Sequence, residues 1–182
     1  MIHLVIEVEL KIKVDDLQEL EYRLIELGAK LKEIVNQRDI YFAHPKKDFA
    51  KTDEALRIRE DSDKVYLTYK GPKFDPKSKT RVEINVEFSD SQRLTEVLEF
   101  LDFKRVLIVS KERKIYEYKK TDFCLDDVEG LGTFLEVEKL VQKKEDFQKA
   151  RIELEQHLRD LLFDPTKNIR ESYLELLLIK KK

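Results

Sequence analysis

Seven segments of this chain alternate, residue by residue, between apolar and charged side chains: Leu4–Lys13, Ala55–Glu60, Lys64–Lys70, Thr80–Phe88, Leu107–Tyr118, Phe123–Val128 and Thr133–Leu140. Alternation of period two is the mark of a β-strand, which sends successive side chains to opposite faces. In the stretch EVELK, Glu7, Glu9 and Lys11 share one face, opposite Ile6, Val8, Leu10 and Ile12. The same rule groups Arg57 with Arg59, Tyr66 and Thr68 with Lys70, and Arg81 with Glu83, Asn85 and Glu87. It also groups Lys111 with Arg113, Cys124 with Asp126, and Glu136 with Glu138.

Any one of these strands reads as part of an antiparallel sheet with one wet face. As a set they are harder to place in water, because the polar faces carry Glu, Arg and Lys in place of Ser, Thr and Gln. If the strands close into a barrel with these faces inward, Lys11, Arg57, Arg59, Lys70, Arg81, Lys111 and Arg113 share one interior. Glu7, Glu9, Glu83, Glu136 and Glu138 join them there, with Asp126. So many enclosed cations need anions of comparable number. A polyphosphate supplies them, since guanidinium and ammonium groups clamp phosphate oxygens. The paired carboxylates would repel phosphate alone, but they are hard oxygen ligands for Mg²⁺ or Mn²⁺, which bridges protein to phosphate. The charge inventory therefore points to a metal-bound triphosphate held in a tunnel.

Three segments have helical period. Asp15 or Asp16 caps a helix carrying Leu17, Leu20, Leu24 and Leu27, stopped at Gly28. Ser89–Phe103 and Glu145–Phe163 carry the next two, while the tail Asn168–Ile179 is ambiguous between a last helix and irregular chain. Many strands with few helices predict an α+β chain with a large antiparallel sheet or barrel. With four glycines, four prolines and no linker, the chain is read as a single domain over residues 1–182. IEVE at Ile6–Glu9 and LEVE at Leu135–Glu138 echo each other, as do RDIY at Arg38–Tyr41 and RKIY at Arg113–Tyr116; duplication and chance both explain this.

Thirty-six Lys and Arg nearly cancel thirty-eight Asp and Glu, leaving a net charge of -2, which gives no support to a nucleic-acid partner. Cys124 is the only cysteine, which excludes an internal disulfide and a cysteine zinc site. No run approaches the ~18 apolar residues of a membrane span. A cytoplasmic protein without a membrane partner is expected, and a homodimer stays open because no dimerisation face can be read from the pattern. His44 reads as a loop residue beside Pro45 more than as a catalytic base, His3 and His157 as incidental, Cys124 as a small buried or tunnel-side residue, and Glu21, Glu26, Glu153, Glu155 and Arg159 as solvated helix positions. Pro45–Glu54 and Gly71–Lys79 read as solvated loops, with gating of a tunnel mouth as the functional alternative.

EVELK also matches the ExExK signature of the CYTH superfamily, the triphosphate tunnel metalloenzymes, which contains class IV (CyaB-like) adenylate cyclases, thiamine triphosphatases and inorganic triphosphatases. It is followed in order by QRDIYFAHP, DEALRIRE, LTYKGP, TRVEI, SKERKIY, LDDVEGLGTFLEVE and SYLELL, so the resemblance spans nearly the whole chain. The block Asp39–Glu60 is most similar to the class IV cyclase branch. The resemblance implies an eight-stranded antiparallel tunnel flanked by helices, binding a triphosphate with two divalent cations, Mg²⁺ or Mn²⁺. By position, Glu7, Glu9, Glu136 and Glu138 would hold metal, and Lys11, Arg57, Arg59, Lys70, Lys111 and Arg113 would contact phosphates. Arg81 and Glu83 would be accessory tunnel residues, Arg81 also facing the triphosphate. Asp126 would orient or deprotonate the attacking group beside a catalytic Lys111, while Tyr41 and the His44–Pro45 loop would touch a base or close the tunnel. The expected reaction is cyclisation of ATP to cyclic AMP and pyrophosphate. The alternatives are hydrolysis of inorganic tripolyphosphate, thiamine triphosphate or a nucleoside triphosphate, and a non-catalytic polyphosphate-binding module.

Overall fold

A computed structural model describes residues 5–181, so Leu4, where the first expected strand begins, and His3 lie outside the described residues. Eight strands form a closed barrel: β1 (Val5–Lys13), β2 (Lys30–Ala43), β3 (Ala55–Asp61), β4 (Lys64–Lys70), β5 (Arg81–Phe88), β6 (Lys104–Tyr118), β7 (Thr121–Val128) and β8 (Gly132–Val141). Their order around the barrel is β1-β5-β4-β3-β2-β6-β7-β8, and every neighbouring pair is antiparallel. The helices are α1 (Leu17–Leu27), α2 (Phe49–Thr52), α3 (Ser91–Phe100), α4 (Phe147–Asp160) and α5 (Tyr173–Lys180).

All seven alternating segments fall on strands, and the α+β barrel is borne out. The eighth strand, β2, escapes the alternation rule. Its register against β6 slips between Leu31 and Glu33 and again between Tyr41 and Phe42, and a slip moves side chains to the other face. Its end, Ile40–Ala43, is also apolar on both faces, which hides any period of two.

The barrel is polar inside and apolar outside. Ile6, Val8, Leu10 and Ile12 of β1 point outward into one core with Leu20 and Leu24 of α1 and Leu154 and Leu158 of α4. A second core sets Ile40, Phe42 and Ile58 against Leu94 and Leu98 of α3. Each such leucine or isoleucine contributes roughly 1.5–3 kcal/mol by leaving water. Helix ends fall where the chain supplies caps. Asp16 Oδ1 accepts from the backbone N–H of Gln18 at 2.9 Å and of Glu19 at 3.0 Å, and Gly28 ends α1 at φ 92 in the left-handed region. The ambiguous tail resolves into α5, opened by a capping box between Ser172 and Glu175. Its Tyr173 packs with Tyr41, Val109, Val128 and Phe134, where the bore turns apolar.

The echoed strands are neighbours, for β1 pairs with β8 so that Glu9 lies opposite Glu138 and Lys11 opposite Glu136. The segment Gly71–Lys79 departs from its expected solvated state, since Asp75, Ser78 and Lys79 are buried. Arg151 lies 3.4 Å from Asp75, Arg170 donates to the Asp75 carbonyl at 3.0 Å, and Asn168 donates to the Lys77 carbonyl at 2.9 Å. Glu21 is likewise more than a solvated helix position, because Lys114 donates to it at 2.8 Å and so does the Tyr116 hydroxyl.

Candidate active site

The strand pairing carries the charged faces into one interior. Ligand oxygens of Glu7, Glu9 and Glu138, from β1 and β8, lie within 4.8 Å of one another. Cations surround them. Lys70 Nζ donates to Glu7 at 2.9 Å and reaches Glu83, Lys79 donates to Glu9, and Arg113 reaches Glu138 at 3.2 Å. Glu136 adjoins this cluster, sharing the Lys79 ammonium with Glu9. It accepts from Arg113 and from Lys79 at 3.2 Å, with Lys11 at 3.7 Å.

On the adjoining wall Asp39 holds both arginines of β3, with Arg57 at 3.1 Å and Arg59 at 2.6 and 2.7 Å. Asp126 plays the same part on β7. Arg113 grips both its oxygens at 2.6 Å, Lys111 donates at 3.0 Å and the Tyr173 hydroxyl at 2.7 Å. Fixed carboxylates of this kind orient the guanidinium groups and balance part of their charge.

Burial and then the neighbouring Glu83 raise the Glu7 pKa to about 8, and burial with Glu136 raises that of Glu9. Burial also works against Glu83, but Lys70 and Arg57 hold it below the usual carboxylate range. Burial and then Lys79 bring Lys11 down to about 7, and burial with Arg113 lowers Lys111. Crowded hard oxygens are what a divalent cation relieves, so the residues present fit Mg²⁺ or Mn²⁺ at Glu7, Glu9 and Glu138.

These side chains line a cavity of about 450 Å³ with two characters. Its charged lining comes from Glu7, Glu9, Glu136, Glu138, Glu83, Arg57, Arg59, Lys70, Arg81, Lys111 and Arg113. Tyr41, Phe49, Ala55, Val106, Leu174 and Leu178 also line it. Two residues singled out from the sequence do not line it. Lys11 and Asp126 are fully enclosed, Lys11 with its ammonium 4.1 Å from the centre of the Tyr173 ring. His44 lines the cavity, but its Nδ1 accepts from the backbone N–H of Lys46 at 3.1 Å and of Lys47 at 3.0 Å.

Three residues of the site were missed. Lys79 continues the inward alternation of Arg81 and Glu83 by one more step, a signal obscured by counting that strand from Thr80. Asp39 shares a face with Gln37 and Tyr41 but sits in the irregular β2. Tyr173 approaches from a helix, where strand alternation gives no signal.

A family model described as the CYTH domain matches residues 5–173. The chain belongs to the CYTH family. A Methanocaldococcus jannaschii protein that carries a provisional adenylate cyclase name is 43% identical over 171 residues, covering 94% of this chain and 98% of its own. The adenylate cyclase CyaB of Aeromonas hydrophila is 31% identical over 134 residues, 72% of this chain and 67% of its own. Among solved structures, the PH1819 protein of Pyrococcus horikoshii superposes with a TM-score of 0.87 at 46% identity, covering 96% of this chain and 99% of that one. A Hippeastrum protein described as having a dominant triphosphatase activity shares the fold at 15% identity and a TM-score of 0.65, covering 96% of this chain and 95% of its own. Among the described residues, no helix of this CYTH domain is long and apolar enough to cross a membrane.

Proposed function

We propose that this CYTH protein is a divalent-metal-dependent adenylate cyclase, converting ATP to cyclic AMP and pyrophosphate. The reading is carried by one observation: a cluster of three carboxylates faces converging guanidinium and ammonium groups in the same enclosed cavity. Cations alone would suit a simple anion site, and carboxylates are unfavourable beside phosphate unless a metal joins them. Glu7, Glu9 and Glu138 would hold that metal, which when bound neutralises phosphate oxygens as a Lewis acid.

The protein's own groups do the rest. Arg57, Arg59, Lys70, Arg81, Lys111 and Arg113 hold the triphosphate chain and stabilise the charge that develops as pyrophosphate leaves. The ribose 3′-oxygen attacks the α-phosphorus, the bond from that phosphorus to the oxygen bridging to the β-phosphate breaks, and the hydroxyl proton ends on the departing pyrophosphate or in solvent. Positioning supplies much of the rate, because the attacking and leaving oxygens must lie in line. Asp126 acts as a positioning residue for Arg113 and Lys111, since three donor groups already occupy its carboxylate. Lys11, enclosed beneath Tyr173, acts on the triphosphate through Glu136.

The apolar part of the lining, with Phe49, Val106, Leu174 and Leu178, favours a substrate with an organic group over inorganic tripolyphosphate. The names of the Methanocaldococcus and Aeromonas relatives point the same way. The second reading is a triphosphatase, in which the same clamp presents a phosphoryl group to water, as the description of the Hippeastrum protein illustrates. Glu9→Ala is expected to remove Mg²⁺-dependent ATP turnover, by at least ~100-fold, while leaving the circular dichroism spectrum intact. Turnover retained in a folded Glu9→Ala protein contradicts the metal reading.

A further inference from the structure

Glu9 belongs to two groups at once. Its carboxylate is part of the cluster with Glu7 and Glu138, and it also accepts from the Lys79 ammonium. Among the described residues, Lys79 is the one cation within ion-pair distance of Glu9. The same ammonium lies 3.2 Å from Glu136. Glu136 has other counter-charges, in contact with Arg113 and 3.7 Å from Lys11, so it stays paired if Lys79 moves.

The backbone at Lys79 is fixed. Its N–H donates to the Glu9 carbonyl at 3.1 Å, and the preceding residues are tied down through Asp75, Ser78, Arg151 and Arg170. The side chain is a different matter, since a lysine is a point charge on a flexible four-carbon stem. Lys79 also lines the cavity in which the proposed triphosphate lies.

We infer that Lys79 is an internal counter-cation that competes with the divalent metal for Glu9, and that metal loading turns its ammonium from Glu9 toward the triphosphate. The inference rests on the metal reading of the carboxylate cluster. A dication and an ammonium on one carboxylate repel each other inside a cavity where charges are poorly screened. Metal alone therefore binds against the cost of displacing Lys79. A triphosphate offsets that cost by giving the ammonium new oxygens, so metal and triphosphate favour each other's binding.

The test is calorimetric titration with Mn²⁺ alone into the wild-type protein, Lys79→Met and Lys79→Arg. Lys79→Met is expected to bind Mn²⁺ at least about fivefold tighter than wild type, with Lys79→Arg, which keeps the charge, no tighter than wild type. Equal or weaker binding by folded Lys79→Met overturns the inference and leaves the metal reading standing. Absence of Mn²⁺ binding in all three proteins overturns both. Should Lys79→Met not fold, the wild-type protein decides by nitrogen NMR of its lysine ammonium groups during a Mg²⁺ titration, with the Lys79 signal assigned by its loss in Lys79→Arg. That signal is expected to shift on Mg²⁺ binding; a signal unmoved while metal binds overturns the inference.

Discussion

Glu7 has Lys70 at 2.9 Å on one side and the carboxylates Glu83, Glu138 and Glu9 on the other. Burial first, and Glu83 next, move its pKa from 4.5 to about 8. Between those values the native protein keeps a proton that the unfolded chain has given up. The contribution of Glu7 to stability is therefore present below pH 4.5 and is lost as pH rises toward about 8. Metal ligation requires the carboxylate, so loading near pH 7 displaces about one proton and affinity climbs with pH through this window. Mn²⁺ calorimetry in two buffers of different ionisation enthalpy is expected to show that proton release, and Glu7→Gln to reduce it. Release of no proton by the wild type would contradict the placement of Glu7 among the ligands.

At the scale of elements, the helices stabilise the barrel from outside while the strands present the chemistry inside. Leu154 of α4 is fully buried against the outward face of β1 and touches nothing in the cavity. Leu154→Ala is expected to cost about 2–5 kcal/mol and to lower the melting temperature, with Mn²⁺ affinity at low temperature unchanged. Lost affinity in the folded variant would show that α4 sets the geometry of the site. This division of labour is why so much of the fold was legible. β1, β3, β4, β5, β6, β7 and β8 alternate because one face meets helices or solvent and the other meets charge, and α1 announces itself by Asp16 and Gly28. β2 was hidden by two register slips and by its all-apolar end, and Lys79 by its place at the edge of an apparent loop. The surroundings of Glu136 were beyond reach for another reason. Its partners Arg113, Lys79 and Lys11 come from three separate stretches of chain, and which of them it meets is decided only when the barrel closes.

At the scale of the molecule, a chain that is 41% charged yet carries a net charge of only -2 has folded many of its charges inward. The interior balances itself in part, through Asp39 with Arg57 and Arg59, Asp126 with Lys111 and Arg113, and Lys70 with Glu7 and Glu83. On the proposed reading, what it is built to add is a further pair of opposite charges, the divalent metal and the triphosphate. The measurement that tests this most directly is phosphorus NMR of ATP incubated with the protein and Mg²⁺ or Mn²⁺, with a parallel sample containing a chelator. The account predicts resonances of cyclic AMP and pyrophosphate that appear together, in equal amounts, only when metal is present. Orthophosphate with ADP in place of cyclic AMP would make the protein a triphosphatase, and turnover undiminished by the chelator would contradict the metal-dependent site itself.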